Sequence, residues 1–328
     1  MLARLAAVAA AVAMVVGAVA LRGRLDDRQE DAATELRLVC SSEMASTCGA
    51  LAAADPRLRV TVEAAGTTAA RLVAQDVADL DGWLVAGPWP ALVAEARDRA
   101  GREPLLVTSE ALARSPVMLV VWDDRAAVLA TRCNGEISWR CVGDSAGTRW
   151  SEIGGQEQWG PVKPAHAPVG SAEGLAVVGA ATVGYFGRSD LSRADLDDDG
   201  YRAWLARLER NLAGRSSAPV EDMLLRGPGA VDVAGTVEAV ALPLLDRSAR
   251  VDKPVPIYPS PMVTVEVVLG TVPGPVGALL SRAVAGRDGR VALAGAGWKP
   301  PGAATPPSGL PEPGVLDALG DVVAEGAR

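Results

Sequence analysis

The sequence predicts an open α/β fold with a mainly parallel sheet, and two observations carry this prediction. Between residues 36 and 100, a strand-like stretch followed by a turn and a helix-compatible stretch occurs three times in succession. Parallel strands need a crossover connection of this kind, and helices supply it. The chain has 328 residues, of which 49% are apolar, so it is long enough to bury the cores of two compact lobes.

The three repeated units are assigned from apolar runs or strict alternation for strands and from helical spacing for helices. The third helix also carries proline near its first turn, a position that helices tolerate. In chain order the units are LRLVC (36–40) with a helix near 48–54, LRVTVEA (58–64) with AGTTAARLVAQDVA (65–78), and LDGWLVAG (80–87) with PWPALVAEARDRA (88–100).

The rest of the chain is less regular but can still be divided into elements. Its last part carries six prolines between Lys299 and Gly314, which predicts an extended or disordered end. The predicted elements are a strand over 115–124, an irregular segment over 132–165, a buried helix after 170, an amphipathic helix over 197–214, a helix leading to a strand over 231–245, an extended segment over 255–270 and a helix over 274–286.

The N-terminus carries an export signal. Leu5 to Leu21 contains no charged residue, and arginines stand on both sides of it. This length fits either a signal peptide, with cleavage after Ala20, or a short membrane span. We favour an uncleaved anchor over residues 1–24, with a linker over 25–35, because the apolar run continues to Leu21 and ends on basic residues. No cysteine follows the run directly, so we expect no lipoprotein anchor.

The four cysteines predict disulfides of an exported protein. Four cysteines allow three pairings, and two local bridges, Cys40–Cys48 and Cys133–Cys141, are the simplest of them. A metal site is not predicted, because no C-x-x-C occurs and His166 is the only histidine. No cofactor is predicted either. The net charge of −8 gives no electrostatic support for binding nucleic acid.

Hydroxyl side chains follow the predicted strands and open a predicted helix. Ligands in open α/β sheets bind beyond the carboxyl ends of strands, where backbone N–H groups of helix starts are unpaired. The alternative is that each hydroxyl only caps its own helix. The candidate ligand-binding residues on this argument are Ser41, Ser42, Thr67, Thr68 and Ser171.

Eight stretches together resemble the bacterial extracellular solute-binding proteins of the type 2 periplasmic fold. The actinobacterial branch that often carries a C-terminal von Willebrand factor A domain is the most similar one. The stretches are LRLVCSSEMA, VTVEAAGTTAARL, LDGWLVAGPWPALV, SPVMLVVW, PVGSAEGLAVVGA, GAVDVAGTVEAVAL, IYPSPMVTVEVVL and AGAGWKPPG, in this order. The chain lacks the D-x-S-x-S motif of the von Willebrand domain.

The resemblance implies two α/β lobes joined by crossover strands and closing over a ligand. Residues 36–114 would form the first part of lobe one, and 115–252 lobe two. Residues 253–303 would return to lobe one and complete it, and 304–328 would be a proline-rich C-terminal tail. In that family a helix start near Asp232 faces the cleft, which makes Asp232 a ligand candidate. Trp89 follows the third strand, where it is expected either to stack on a ligand or to pack in the core.

Glu173 departs from the pattern of the oxyanion-binding relatives, which usually have serine or threonine in this turn. A carboxylate competes with an anionic ligand for the N–H groups of the helix start. We therefore expect a cationic, neutral or peptide-like ligand, or none, rather than a tetrahedral oxyanion.

These observations predict a non-catalytic extracytoplasmic protein that captures a small ligand between two hinged lobes for ABC-type uptake. Its expected partners are the ligand, a transporter permease and, through the N-terminal segment, the membrane. One alternative is a sensing or ligand-free envelope scaffold with a degenerate cleft. A second alternative, an exported serine hydrolase, depends on a G-x-S-x-G match at Ser145, which lacks a suitably placed histidine.

An acidic run, Asp195 to Gly200, resembles the first half of a calcium loop. The twelfth position of such a loop must provide a bidentate carboxylate, but here it is Ala206. We therefore predict that Asp199 caps the following helix instead.

Overall fold

The computed structural model describes residues 35–302 and 309–326. The predicted N-terminal anchor, residues 1–24, lies outside these residues. None of the helices in the described ranges is long and apolar enough to cross a membrane.

Lobe one is built on a twisted sheet whose first three strands are parallel. The strands are β1 (Leu36–Ser41), β2 (Leu58–Glu63), β3 (Gly82–Ala86), β4 (Val107–Thr108) and β9 (Thr264–Thr271). Strand β1 lies between β2 and β3, and β9 continues the sheet antiparallel to β3. The helices are α1 (Ala45–Ala54), α2 (Ala65–Ala74), α3 (Trp89–Arg99), α10 (Pro275–Ala285) and α11 (Arg287–Gly295).

One long strand, β5 (Ala113–Trp122), passes from lobe one into lobe two. Its first residues, Ala113–Pro116, pair with β9 in the sheet of lobe one. From Val117 onward it pairs with β7 (Val233–Val237) and β8 (Pro254–Ile257) in the second sheet. The chain returns to lobe one between β8 and β9, so the two lobes are joined by two crossings.

Lobe two carries the remaining strand, β6 (Pro164–Ala165), which is parallel to β7. Its longest helix, α6 (Ala172–Phe186), is capped at Ser171, whose Oγ accepts from Gly174 N at 3.0 Å, and it ends at Gly187 with φ 70°. The helices are α4 (Asp123–Arg132), α5 (Trp139–Ser145), α6 (Ala172–Phe186), α7 (Asp199–Arg210), α8 (Pro219–Arg226) and α9 (Glu238–Arg247).

The core follows from the apolar content of the central elements. Every residue of β3 and β7 is buried, as expected for strands that are covered on both faces. In α6 all residues from Ala172 to Val183 are buried, which explains why this helix has no charged side chain after Glu173. It contacts β7 of its own lobe and β3 of lobe one.

Three secondary-structure predictions are corrected. Residues 231–245 were expected as a helix followed by a strand, but the order is reversed, with β7 preceding α9. The segment 132–165 was expected to be irregular, but it contains α5. The helix cap predicted at Asp199 is Asp198, whose Oδ1 accepts from Tyr201 N at 2.7 Å.

The C-terminal segment 304–328, predicted as a proline-rich tail, contains a helix, α12 (Pro313–Gly326). This helix contacts α3 of lobe one and α6 and α7 of lobe two. On its exposed side, Asp317 pairs with Arg99 of lobe one at 2.9 Å and with Arg193 of lobe two at 3.9 Å. The helix therefore contacts both lobes.

Both predicted disulfides are present. Cys40–Cys48 joins the end of β1 to α1, and Cys133–Cys141 joins the end of α4 to α5. Each bridge fixes one short loop, in agreement with the sequence-based pairing.

Candidate ligand-binding cleft

A cavity of about 820 Å³ lies between the two lobes, a size typical of small-molecule sites. It is bounded by the carboxyl end of β1 and the start of α2 on one side, and by the starts of α6 and α8 on the other. Helix α9 covers it with apolar side chains. The lining residues are Ser42, Glu43, Ala64, Gly66, Thr67, Ala70, Pro168, Gly170, Ser171, Glu173, Ser217, Ala218, Pro219, Val220, Glu221, Val240 and Leu244.

The two lobes touch each other beside this cavity through a backbone hydrogen bond. Gly66 N, in the first turn of α2, donates to Gly170 O, just before α6, at 2.8 Å. A Cβ atom at position 66 would lie 2.8 Å from the same oxygen, so only glycine permits this approach. The carbonyl also occupies an N–H group that an anion would otherwise use.

Glu43 is the acid that lobe one places at the cleft. Its Oε1 accepts a hydrogen bond from Ser41 Oγ and another from Ala86 N, at 3.2 Å. Its Oε2 is buried and has no hydrogen-bond partner in the described part of the chain. Burial raises the pKa of the Glu43 carboxyl, and the hydrogen bond from Ser41 partly offsets that rise.

Glu173 is the acid that lobe two places at the cleft, and its side chain is only 6% exposed. Thr236 Oγ1 donates to its Oε1 at 2.5 Å. Burial raises the pKa of Glu173 to about 7, the Thr236 hydrogen bond opposes this shift, and the negative charge of Glu43 adds to it. The two acids therefore influence each other across the cleft.

The lining has an acidic and aliphatic character. Glu221, in the first turn of α8, is a third carboxyl group. Val220, Val240 and Leu244 form an apolar wall. No lysine, arginine, histidine or aromatic residue lines the cavity within the described chain.

Three of the predicted ligand-binding residues line the cavity. Ser42 and Thr67 are exposed on the lobe-one side, and Ser171 lies on the lobe-two side. Ser171 also donates to Pro168 O at 2.7 Å and caps α6, so its cap role and its position in the cleft coexist.

The other predicted residues do not line it. Ser41 is fully buried behind Glu43, which its hydroxyl supports. Thr68 is also buried, and its Oγ1 donates to Glu63 Oε1 at 2.7 Å within lobe one. Trp89 is 8% exposed and belongs to the hydrophobic core, which agrees with the packing alternative.

Asp232 lies away from the cleft because the helix expected around it is a strand. It directly precedes β7, whereas the cleft-facing helix start comes after that strand. Asp232 is fully buried, accepts from Lys163 N at 2.9 Å and pairs with Arg125 at 3.4 Å. These contacts give it a structural role in lobe two.

The two motifs that suggested other chemistry do not line the cavity. Ser145 is buried, and its Oγ has no hydrogen-bond partner among the described residues. His166 instead contacts Glu209, with Nε2 3.0 Å from Oε1. In the acidic run, Asp195 Oδ2 accepts from Ser192 N at 2.7 Å, where Ser192 caps a short turn. The described chain contains no group of three or more acidic, histidine or cysteine side chains that could hold a metal ion.

Glu43 and Glu221 are cleft residues that the sequence analysis missed. Glu43 follows β1 directly, so the rule that selects Ser41 and Ser42 also applies to it. Pro219 in a serine- and alanine-rich stretch, followed by two acids, is a helix-start signal that points to Glu221.

Comparisons with known proteins agree with this architecture. No family model and no curated protein sequence matches the chain. Among solved structures, a periplasmic thiamin-binding protein is similar with a TM-score of 0.59 and 10% identity, covering 89% of this chain and 96% of its own. A putative spermidine/putrescine ABC transporter protein from Listeria monocytogenes is similar with a TM-score of 0.59 and 10% identity, covering 90% and 99%.

The periplasmic binding protein AfuA from Actinobacillus pleuropneumoniae, with fructose-6-phosphate bound, is similar with a TM-score of 0.58 and 12% identity, covering 90% of this chain and 97% of its own. At such low identity these likenesses show the fold. The chain has the two-lobed α/β fold of type 2 periplasmic solute-binding proteins, as predicted.

Proposed function

We propose that this protein captures a small ligand between its two lobes outside the cytoplasm and delivers it to an ABC transporter permease. The observation that carries this proposal is the cavity of about 820 Å³, whose walls come from both lobes. A ligand that contacts both walls stabilises the closed arrangement by its differential affinity for it. The structural neighbours, which are periplasmic binding proteins and an ABC transporter protein, support the same role.

Several finer points belong to this proposal. The protein is non-catalytic and belongs to the actinobacterial branch named above, with a membrane anchor or a cleaved signal at its N-terminus. The lobe boundaries lie at 114/115 and 252/253. The partner strand of β5 changes from β9 to β7 between Pro116 and Val117, two residues after the first boundary. Ser42, Thr67 and Ser171 contribute polar contacts to the ligand, since all three line the cavity.

A glycine-to-alanine pair tests lobe closure. Gly66→Ala places a methyl group 2.8 Å from Gly170 O and should keep the lobes apart. Gly66 lies in a helix without a positive φ, so alanine itself is tolerated there and should change the free energy of unfolding by less than about 1 kcal/mol. Gly49→Ala, in α1 with open space around the new methyl group, is the matched control.

The measurement is thermal unfolding with a panel of amino acids, sugars, sugar phosphates, thiamin and straight-chain diamines. A ligand at about 100 times its Kd should stabilise the wild type and Gly49→Ala by about 2.7 kcal/mol, and Gly66→Ala much less. Equal stabilisation of both variants would contradict closure. A wild type that no compound stabilises would contradict ligand capture.

A further inference from the structure

We propose that the ligand of this cleft is an organic cation, a protonated amine carried on an aliphatic chain. The inference rests on the proposed function and adds the chemical class of the ligand. It is based on three properties of the cavity: unpaired acids, a buried carboxylate oxygen without a partner, and an aliphatic wall.

The first property is the lack of cation partners for the cleft acids. The other buried acids of the described chain are paired: Asp81 with Arg37 at 2.8 Å, Asp232 with Arg125 at 3.4 Å, and Glu238 with Lys299 at 2.6 Å. Glu173 is equally buried, yet neither it nor Glu43 forms an ion pair within the described residues. A buried carboxylate without a cation is costly, and a cationic ligand would remove that cost.

The second property is the free oxygen of Glu43. Ser41 and Ala86 N fix Oε1 and thereby the direction of the whole carboxyl group. Oε2 is buried and accepts no hydrogen bond from the described chain. Buried polar atoms are normally paired, and a ligand that places an N–H donor at this oxygen would pair it. An ammonium N–H supplies one together with the opposite charge.

The third property distinguishes an amine from other cations. Val220, Val240 and Leu244 offer an aliphatic surface for an alkyl chain. The lining contains no aromatic residue in the described chain, so it lacks the rings that recognise quaternary ammonium groups. The same part of the chain has no cluster of metal-ligating side chains. Anions are disfavoured because no basic side chain among the described residues lines the cavity and Gly170 O occupies one N–H of the α2 start.

Isothermal titration calorimetry with matched four-carbon probes tests the inference. Diaminobutane should bind the wild type, whereas butanediol, which is neutral, and butanedioate, which is anionic, should not. The N-methylated diamine with three methyl groups on each nitrogen, a bis-quaternary ammonium, should bind about tenfold more weakly or worse, because it has no N–H to donate.

Three variants connect the binding to the cleft acids. Glu43→Gln and Glu173→Gln keep the side-chain shape and remove the charge, so each should weaken diaminobutane binding about tenfold or more. Glu136→Gln removes the same charge from an exposed position and should bind as the wild type does. Circular dichroism verifies that all three fold. Undiminished diaminobutane binding by Glu43→Gln and Glu173→Gln would overturn the inference.

The outcomes separate this inference from the function on which it rests. If butanedioate or a sugar phosphate binds the wild type and Gly66→Ala loses that binding, the cleft captures ligands but the amine assignment is wrong. Equal affinity for the N-methylated diamine would likewise overturn the assignment. If no probe and no compound of the panel binds, the proposed function itself fails.

Discussion

Glu43 and Glu173 are held in place by hydroxyl groups rather than by cations. Ser41 supports Glu43, and Thr236 supports Glu173. A hydroxyl donor fixes the direction of a carboxyl group without neutralising its charge, so burial still raises the pKa of both acids. In the proposed function, this arrangement leaves the charge of both acids for a ligand to neutralise.

Glu173→Gln tests the titration of the buried acid. The pKa of Glu173 is raised from 4.5 to about 7 on folding, mainly by burial, so the folded state binds this proton more tightly than the unfolded state. The stability that Glu173 adds by binding this proton is complete below pH 4.5 and is lost as pH rises through about 7. Relative to the variant, the free energy of unfolding of the wild type should fall by at most about 3 kcal/mol across this range.

Urea denaturation at a series of pH values provides the measurement. Glu136→Gln, which removes an exposed acid outside the cleft, is the matched control. Parallel pH profiles for the wild type and Glu173→Gln would show that this carboxyl group has an ordinary pKa.

Thr68→Val separates a structural hydroxyl from a ligand contact. The Thr68 hydroxyl donates to Glu63, which also pairs with Arg71 at 2.6 Å, and none of these side chains lines the cavity. Loss of this hydrogen bond should lower the free energy of unfolding by about 1 kcal/mol and leave ligand affinity unchanged. Urea denaturation and titration calorimetry measure the two quantities, and a loss of affinity without a loss of stability would contradict this assignment.

At the residue scale, the sequence predicted the position of the cleft more accurately than it predicted which side chains line it. Ser42 and Thr67 line the cavity, whereas their neighbours Ser41 and Thr68 point into the protein. Adjacent residues at a strand end or in a helix point in different directions. A sequence does not show, with single-residue precision, where each turn begins. A search that considers only hydroxyl and N–H groups also misses the carboxyl group of Glu43.

At the element scale, helix α12 packs across both lobes through its apolar face. Its residues Val315, Leu316 and Leu319 are buried, and Leu316 lies against α6 at Gly179. The apolar spacing in GVLDALGDVVAEG is that of an amphipathic helix, so the sequence contained this signal beside the prolines. The region 303–308, which holds two of the prolines, is outside the described residues.

Two substitutions in α12 compare packing with surface charge. Leu319→Ala leaves a cavity at a fully buried site and should lower the free energy of unfolding by about 2–5 kcal/mol. Asp317→Asn removes the pairing with Arg99 and Arg193, whose side chains are 51% and 59% exposed, and should cost less than about 1 kcal/mol. Chemical denaturation measures both, and a larger loss for Asp317→Asn would mean that the charges matter more than the packing.

The reversed order at 231–245 shows where periodicity does not decide between element types. VDVAGTVEAVAL consists mostly of small and β-branched residues, which fit a buried strand or a buried helix equally well. Strand β7 takes only the central VAGTV of this stretch, and its neighbour β5 supplies the pairing that the sequence does not show. Asp232 consequently moves from a cleft-facing helix start to the buried start of a strand.

At the scale of the whole molecule, two crossings join lobes that meet around one cavity. The repeated strand–helix units predicted the parallel half of lobe one, because each crossover is local in sequence. The antiparallel pairings of β5 with β7, β8 and β9 are long-range and leave no local pattern. The contact between Gly66 and Gly170 is of the same kind, since it joins segments that are far apart in the chain.

The distance between the lobes tests the central claim, closure on a ligand, most directly. All four cysteines of the sequence are in disulfides, so spin labels attach only to introduced cysteines. Val77→Cys, after α2, and Leu225→Cys, on α8, replace side chains that are 78% and 80% exposed, one in each lobe. Pulsed electron spin resonance then reports the distance between the labels.

We predict that a panel compound bound by the wild type shortens and narrows this distance distribution in the Gly49→Ala background, and that the distribution in Gly66→Ala stays long. An unchanged distance in the Gly49→Ala protein with its ligand bound would contradict closure of the two lobes around the cavity.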